Sequence, residues 1–113
     1  MSDLYEIIYA PEAYDDLRNI YAYIAYDLQV PDIAKDQVNR IRNEIRSLDQ
    51  MPSRFAFVDW EPWKSRNTHK VPVDQYVVIY IINNESKTVN IVRIFYSSQD
   101  IGSILESNAQ RTV

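Results

Sequence analysis

The sequence predicts an α+β domain: an N-terminal strand, then an antiparallel helical hairpin packed on one face of a twisted antiparallel β-sheet, then a short C-terminal helix. Three observations predict it. Apolar residues recur at helical spacing twice in the first half of the chain, the second half is dominated by three runs rich in β-branched and aromatic residues, and prolines punctuate the changes of period. The order of elements, with both long helices ahead of the main strands, places the helices together on one side of the sheet.

Leu4-Tyr5-Glu6-Ile7-Ile8-Tyr9 is rich in strand formers and stops at Ala10-Pro11, so it reads as the first strand. From Pro11 the period changes to that of a helix: Leu17, Ile20, Tyr21, Ile24 and Leu28 fall on one stripe. Pro11 suits the first turn, where its missing N–H costs nothing, and Glu12, Asp15 and Asp16 suit the positive end of the dipole. The expected helix has about four turns. Val30-Pro31-Asp32 interrupts it, and Ile33, Ala34, Val38, Ile41, Ile45 and Leu48 mark a second amphipathic helix ending at Met51-Pro52. A connection this short makes the two helices antiparallel neighbours.

Pro52 to Thr68 has neither period and carries Phe55, Phe57, Trp60 and Trp63, which are expected to order a long loop. His69 to Val73, Tyr76 to Ile82 and Thr88 to Tyr96 are then read as three strands, with Asp74-Gln75 and Asn83 to Lys87 as the hairpin connections. Val77 to Ile82 is apolar on both faces, which puts this strand in the middle of the sheet. Ile101, Ile104 and Leu105 suggest a last short helix, and residues 107–113 a polar tail that frays.

A chain of 113 residues is expected to be one domain, residues 1–113. It holds no cysteine, which excludes disulfides, thiolate metal sites and cysteine nucleophiles. No apolar run approaches the ~20 residues that span a bilayer, and the expected setting is the cytoplasm, with no membrane partner. The formal net charge of -4 argues against general nucleic-acid binding, but the charge is uneven. Residues 1–36 hold eight acids against two bases, whereas residues 54–70 hold Arg54, Lys64, Arg66 and Lys70 against Asp59 and Glu61.

The single histidine, His69, lies at the end of that locally basic stretch and next to both tryptophans. It is the one side chain whose ordinary titration falls near neutrality. Strand alternation groups Val89, Ile91, Arg93 and Phe95 on one face of the last strand, and an arginine in so apolar a strand implies either an acidic partner or a ligand. If the sheet face opposite the helices is free, its chemistry suits phosphate: arginine offers a planar fork, while histidine and tyrosine can exchange protons. RNA cleavage through the 2'-hydroxyl needs such groups and no metal or other cofactor. A lone histidine has no companion at metal-ligand spacing here, and no nucleophile elbow or glycine-rich phosphate loop is present. The alternative for His69 is a satisfied loop histidine without chemistry.

From Tyr5 to Leu105 the chain resembles the RelE/ParE superfamily of type II toxin–antitoxin toxins. The carriers are Tyr5-Glu6-Ile7-Ile8-Tyr9-Ala10-Pro11-Glu12-Ala13 with Asp16-Leu17 and Ile20-Tyr21-Ala22-Tyr23-Ile24, then Ile41, Ile45 and Leu48 before Pro52. Val71-Pro72-Val73-Asp74-Gln75-Tyr76-Val77-Val78-Ile79-Tyr80 follows, and last Val89 to Tyr96 before Ser97-Ser98-Gln99-Asp100. The resemblance implies a helical hairpin on a twisted sheet, neutralisation by a cognate antitoxin, and one of two activities: metal-independent cleavage of mRNA on the ribosome, or non-enzymatic poisoning of DNA gyrase. Near relatives often carry arginine where this chain has His69 and Gln99, and RelE-like enzymes carry one where it has Val77. The expected activity is the endoribonuclease, with His69 and Tyr96 dividing proton transfer, Arg66 on the phosphate, and Lys64, Lys70, Arg93 and Gln99 binding RNA. The alternatives are the gyrase inhibitor and a weakened toxin that mainly binds its antitoxin. Tyr14, Tyr23 and Tyr26 suit an interface beside the hairpin, where an amphipathic antitoxin segment is expected to dock.

Overall fold

A computed structural model describes residues 4–96. Strand β1 (Glu6–Tyr9) leads into helix α1 (Pro11–Ala22), whose last turns widen into a π-helical stretch, Tyr23–Asp27. Helix α2 (Pro31–Arg46) returns antiparallel to it, and single 3₁₀ turns at Ser47–Asp49 and Pro52–Arg54 lead away from it. Strands β2 (His69–Val73), β3 (Tyr76–Asn83) and β4 (Thr88–Tyr96) follow. Both helices open on proline with no side-chain cap, as the fixed φ and absent N–H of that residue permit. The expected short helix at Ile101 to Leu105 and the tail lie outside the described residues.

The sheet order is β1-β4-β3-β2. β2, β3 and β4 are antiparallel, as alternation and short turns predict, but β1 runs parallel to β4, with Glu6 opposite Thr88 and Tyr9 opposite Ile91. The sheet is therefore mixed rather than wholly antiparallel. The helical hairpin is the long crossover that lets the first strand lie parallel beside the last. Helices and sheet enclose the main core, in which Ile41, Ile45 and Leu48 of the α2 arm meet Val71, Val78, Tyr80, Val89 and Ile91, all without exposed surface. Each such aliphatic side chain contributes about 1.5–3 kcal/mol by leaving water.

A β-bulge breaks the register between Ile79 and Tyr80: Tyr80 faces Ile91 and Ile79 faces Arg93, so Val92 has no partner on β3. The extra residue shifts the alternation, and Ile94 rather than Arg93 joins Val89 and Ile91 in the core. Because β1 ends at Tyr9, β4 beyond Ile91 has no strand on that side. The Asp16 carboxylate of α1 takes that place. It accepts the Ile94 N–H at 2.9 Å and the Arg93 guanidinium through Nε at 2.8 Å and Nη2 at 3.1 Å.

A second tie crosses the other end of the hairpin. Asp74, at a left-handed φ of 56° in the β2–β3 turn, accepts from Arg40 Nε at 2.7 Å and Gln37 Nε2 at 3.0 Å. Aspartate tolerates this conformation better than most residues with a Cβ.

Two predictions follow from these ties. Asp16→Ala, which strands a half-buried guanidinium and the Ile94 N–H, is expected to cost about 2–3 kcal/mol in urea unfolding. The Arg40 guanidinium and then the Gln37 amide hold the Asp74 carboxyl below the usual carboxylate range. With the folded value the lower of the two, the stabilisation is present above about pH 4 and is lost as pH falls through the folded value. Asp74→Asn should therefore flatten the acid limb of a stability–pH profile, and an unchanged limb would refute the tie.

Candidate functional site

Local alternation on β2 positions His69. Val71 and Val73 point into the core, and His69, two residues before Val71, points the same way. Its ring is 5% exposed and lies between Phe57, at 4.2 Å, and Tyr80, at 5.4 Å, both near parallel to it. Nδ1 is 2.8 Å from the Phe55 carbonyl, which can only accept, so Nδ1 carries the proton of this bond. Tyr80 donates its hydroxyl to the Pro52 carbonyl at 2.6 Å, and burial pushes its pKa up. The histidine thus sits on the helix side of the sheet, where it fastens the Pro52–Phe57 segment to the core. The expectation that it opens onto the opposite face is corrected by the strand's own phase.

Tyr96 is brought elsewhere. It pairs with Tyr76, which pairs with Val73, whereas His69 pairs with Tyr80, four residues further along β3. At about 3.3 Å per residue along the strand and 4.8 Å between strands, the two backbones are roughly 16 Å apart. An acid and a base serving one phosphate must both reach its oxygens, and His69 is instead buried and held at the Phe55 carbonyl, away from Tyr96.

The remaining basic candidates are scattered as well. Arg66 lies over the Trp63 ring at 5.4 Å and Lys70 over the Trp60 ring at 5.0 Å. Lys64 is exposed beside Glu61, whose carboxyl is held below the usual range by Ser65, through hydroxyl and N–H, and by Lys64 itself. Arg93 is taken up by Asp16, and Gln99 lies outside the described residues. The sheet face opposite the helices is not left open either: Val77 and Ile79 are buried there, and Lys70, which pairs with Ile79, stacks on the Trp60 ring. Val58, bonded through its N–H to the Thr68 carbonyl, is buried in the same covering segment. Arg66, Lys70 and the tryptophans come together, but His69, Tyr96 and Arg93 do not join them.

A groove of about 730 Å³ forms instead on the helix side, between α1, the start of α2 and the far end of the sheet. Tyr23, Leu28, Ile33 and Tyr96 border it, each about half exposed, and Tyr76 and Ile94 form its floor. The Tyr76 and Tyr96 rings meet edge to face at 5.5 Å. Burial raises the pKa of Tyr76, and the neighbouring Tyr96 and Tyr23 hydroxyls add to the shift. Residue type singles out Tyr23 as interface material but gives no sign that Tyr96 faces it across a groove.

A family model described as the ParE toxin of the type II toxin–antitoxin system parDE matches residues 7–101. The chain belongs to the ParE toxin family. Among solved structures, the chromosomal ParDE system of P. aeruginosa is 20% identical with a TM-score of 0.70, over 86% of this chain and 100% of that one. The RelBE2 toxin–antitoxin complex of Mycobacterium tuberculosis is 21% identical at 0.56, over 82% and 98%. A free mutant form of the E. coli toxin RelE is 10% identical at 0.60, over 97% and 99%. At these identities the likeness is one of fold: two helices on a mixed four-stranded sheet. No curated protein sequence matches the chain. Among the described residues no helix is long and apolar enough to cross a membrane.

The packing of His69 leads to a stability prediction for this ParE-family fold. His69→Ala removes a ring between two aromatic neighbours and leaves the Phe55 carbonyl unpaired, so the urea midpoint should fall by the equivalent of about 2–4 kcal/mol. An unchanged midpoint would show that the ring is not packed as described.

Proposed function

We propose that this ParE-family toxin acts in the cytoplasm by binding DNA gyrase rather than by cutting RNA, and that a cognate antitoxin neutralises it. The observation that carries the reading is that His69 is buried against the Phe55 carbonyl, its backbone roughly 16 Å from that of Tyr96. Hydrolysis of RNA needs a base, an acid and a cation around one phosphate, and these side chains are shared out among three separate places. A binder needs none of that. Its requirement is a rigid surface with exposed aromatic and aliphatic groups, which the hairpin supplies in Tyr14, Tyr23, Tyr26 and Leu28. The match to the ParE model over most of the chain supports the same choice.

The reading is tested by inducing the protein and following DNA synthesis, protein synthesis and a DNA-damage reporter separately. DNA synthesis should fail and the reporter respond while translation continues; immediate loss of translation with a silent reporter sinks the proposal in favour of ribonuclease action. His69→Phe and Tyr96→Phe, which keep the rings and remove the titratable groups, should both still arrest growth. A hundredfold loss of potency in either variant would point back to acid–base chemistry.

A further inference from the structure

A second groove, of about 700 Å³, runs between α1 and α2 and shares no lining residue with the first. Tyr14, Arg18, Tyr21 and Tyr26 line it from α1 and its π-helical end, and Val38 and Arg42 from α2. Tyr14 and Tyr26 are more than half exposed, yet their rings are braced. Tyr14 stacks on Tyr9 at 4.7 Å, and Tyr26 meets Tyr21 edge to face at 6.4 Å. Braced tyrosine rings on rigid helices lose little freedom on contact, and tyrosine and arginine are the residue types that anchor protein interfaces.

The groove is also a basic place on an acidic chain. Its one acid, Asp15, pairs with Arg18, but both side chains are largely exposed, so the pair holds Arg18 only weakly. Arg42 is in no ion pair among the described residues. It shares a stripe of α2 with Lys35, two turns before it, and Arg46, one turn after it, both exposed and neither in an ion pair among the described residues. Burial raises the Tyr9 pKa, and Arg42 and, more weakly, Arg46 act against that rise, so both guanidinium groups lie near the Tyr9 hydroxyl. Two occupants fit this poorly. Nucleic acid carries its charge far beyond the groove, where a chain of formal net charge -4 repels it. A second copy in a closed dimer would set Arg42 against its own kind. A short acidic stretch of a protein surface meets the cations locally and brings apolar side chains for the tyrosines.

We propose that this second groove is the surface by which the toxin grips gyrase, and that it receives an acidic stretch of the gyrase surface with apolar side chains among its carboxylates. This rests on the gyrase reading above, and it adds which face of the hairpin makes the contact and what chemistry that face selects. Arg42 offers its fork to one carboxylate, with Arg46 and Lys35 along the same stripe for others, while Tyr14, Val38 and Tyr26 hold the apolar groups.

The test titrates the full chain onto immobilised gyrase holoenzyme. Arg42→Glu and Tyr26→Ala, both at exposed positions where the urea midpoint should not move, should each weaken binding at least tenfold. Arg42→Lys, which keeps the charge, should lose less than Arg42→Glu. Lys87→Glu, the same reversal of charge in the exposed β3–β4 turn, should stay within twofold of the parent; an equal loss there makes the effect one of net charge and overturns the groove. Raising salt from 50 to 500 mM should weaken the parent more than Arg42→Glu. If the parent binds gyrase and Arg42→Glu and Tyr26→Ala bind it equally well, the groove is wrong and the gyrase reading stands. If the parent does not bind gyrase, that reading falls and takes this proposal with it. The rival occupants are read in the same series. If the parent binds a 30-bp DNA duplex alone as tightly as it binds gyrase, and Arg42→Glu abolishes both, nucleic acid is the occupant; if the parent is a dimer that Arg42→Glu dissociates, a second copy is. Either result overturns the proposal.

Discussion

The Asp16 carboxylate does the work of a missing strand. β1 ends after four residues because the chain must turn into α1, and the upper part of β4 would otherwise show bare N–H groups at an apolar edge. One carboxylate answers the Ile94 N–H and the Arg93 fork together, so helix, strand edge and bulge are fixed by a single group. Charged hydrogen bonds of this kind contribute about 1.5–3 kcal/mol each, more than most single contacts in a domain of this size. The same tie sets the floor of the groove. Ile94 can face the core only because the bulge at Val92 changes the phase of β4, and Asp16 bonds the Ile94 N–H two residues after it.

The sole histidine illustrates how residue type and residue environment part company. Imidazole is a proton carrier in water, but between two aromatic rings and against a backbone carbonyl it serves as a flat polar spacer. Phenylalanine would fill the space and leave the Phe55 carbonyl unanswered; histidine fills it and answers. Tyr80 plays the same part for the Pro52 carbonyl. Together they explain how a segment with little regular structure is kept against the sheet without a disulfide. The cations of the segment follow a similar logic, with Arg54 over Phe55, Arg66 over Trp63 and Lys70 over Trp60. Each is worth about 0.5–1 kcal/mol at an exposed site, enough to order a loop but not enough to define a catalytic centre.

Much of the fold is legible in sequence because its signals are local. The bounds of β2 and β4 follow from β-rich runs between turn residues, and both helices announce themselves by stripe and proline. The parallel pairing of β1 has no local signature, since an isolated strand does not record its neighbour. The bulge is equally silent: perfect alternation groups Arg93 with Ile91, and only the register to β3 separates them. The side of the sheet that His69 takes, by contrast, was readable, because it shares the phase of Val71 and Val73. The candidate site was less legible than the fold since Asp16 and Arg93 lie 77 positions apart.

The parallel pairing of the first strand with the last has a consequence for synthesis. β1 leaves the ribosome well ahead of its strand partner, which begins only at Thr88. At about 5–20 residues per second, β1 and α1 wait roughly 4–16 s for the strand that completes them. The hairpin's apolar face stays uncovered over that interval, and loop closure over so long a stretch adds to the barrier. The sheet therefore cannot be completed until β4 has emerged. The fold is complete only once β4 has been made, which leaves a neutralising partner several seconds in which to be ready.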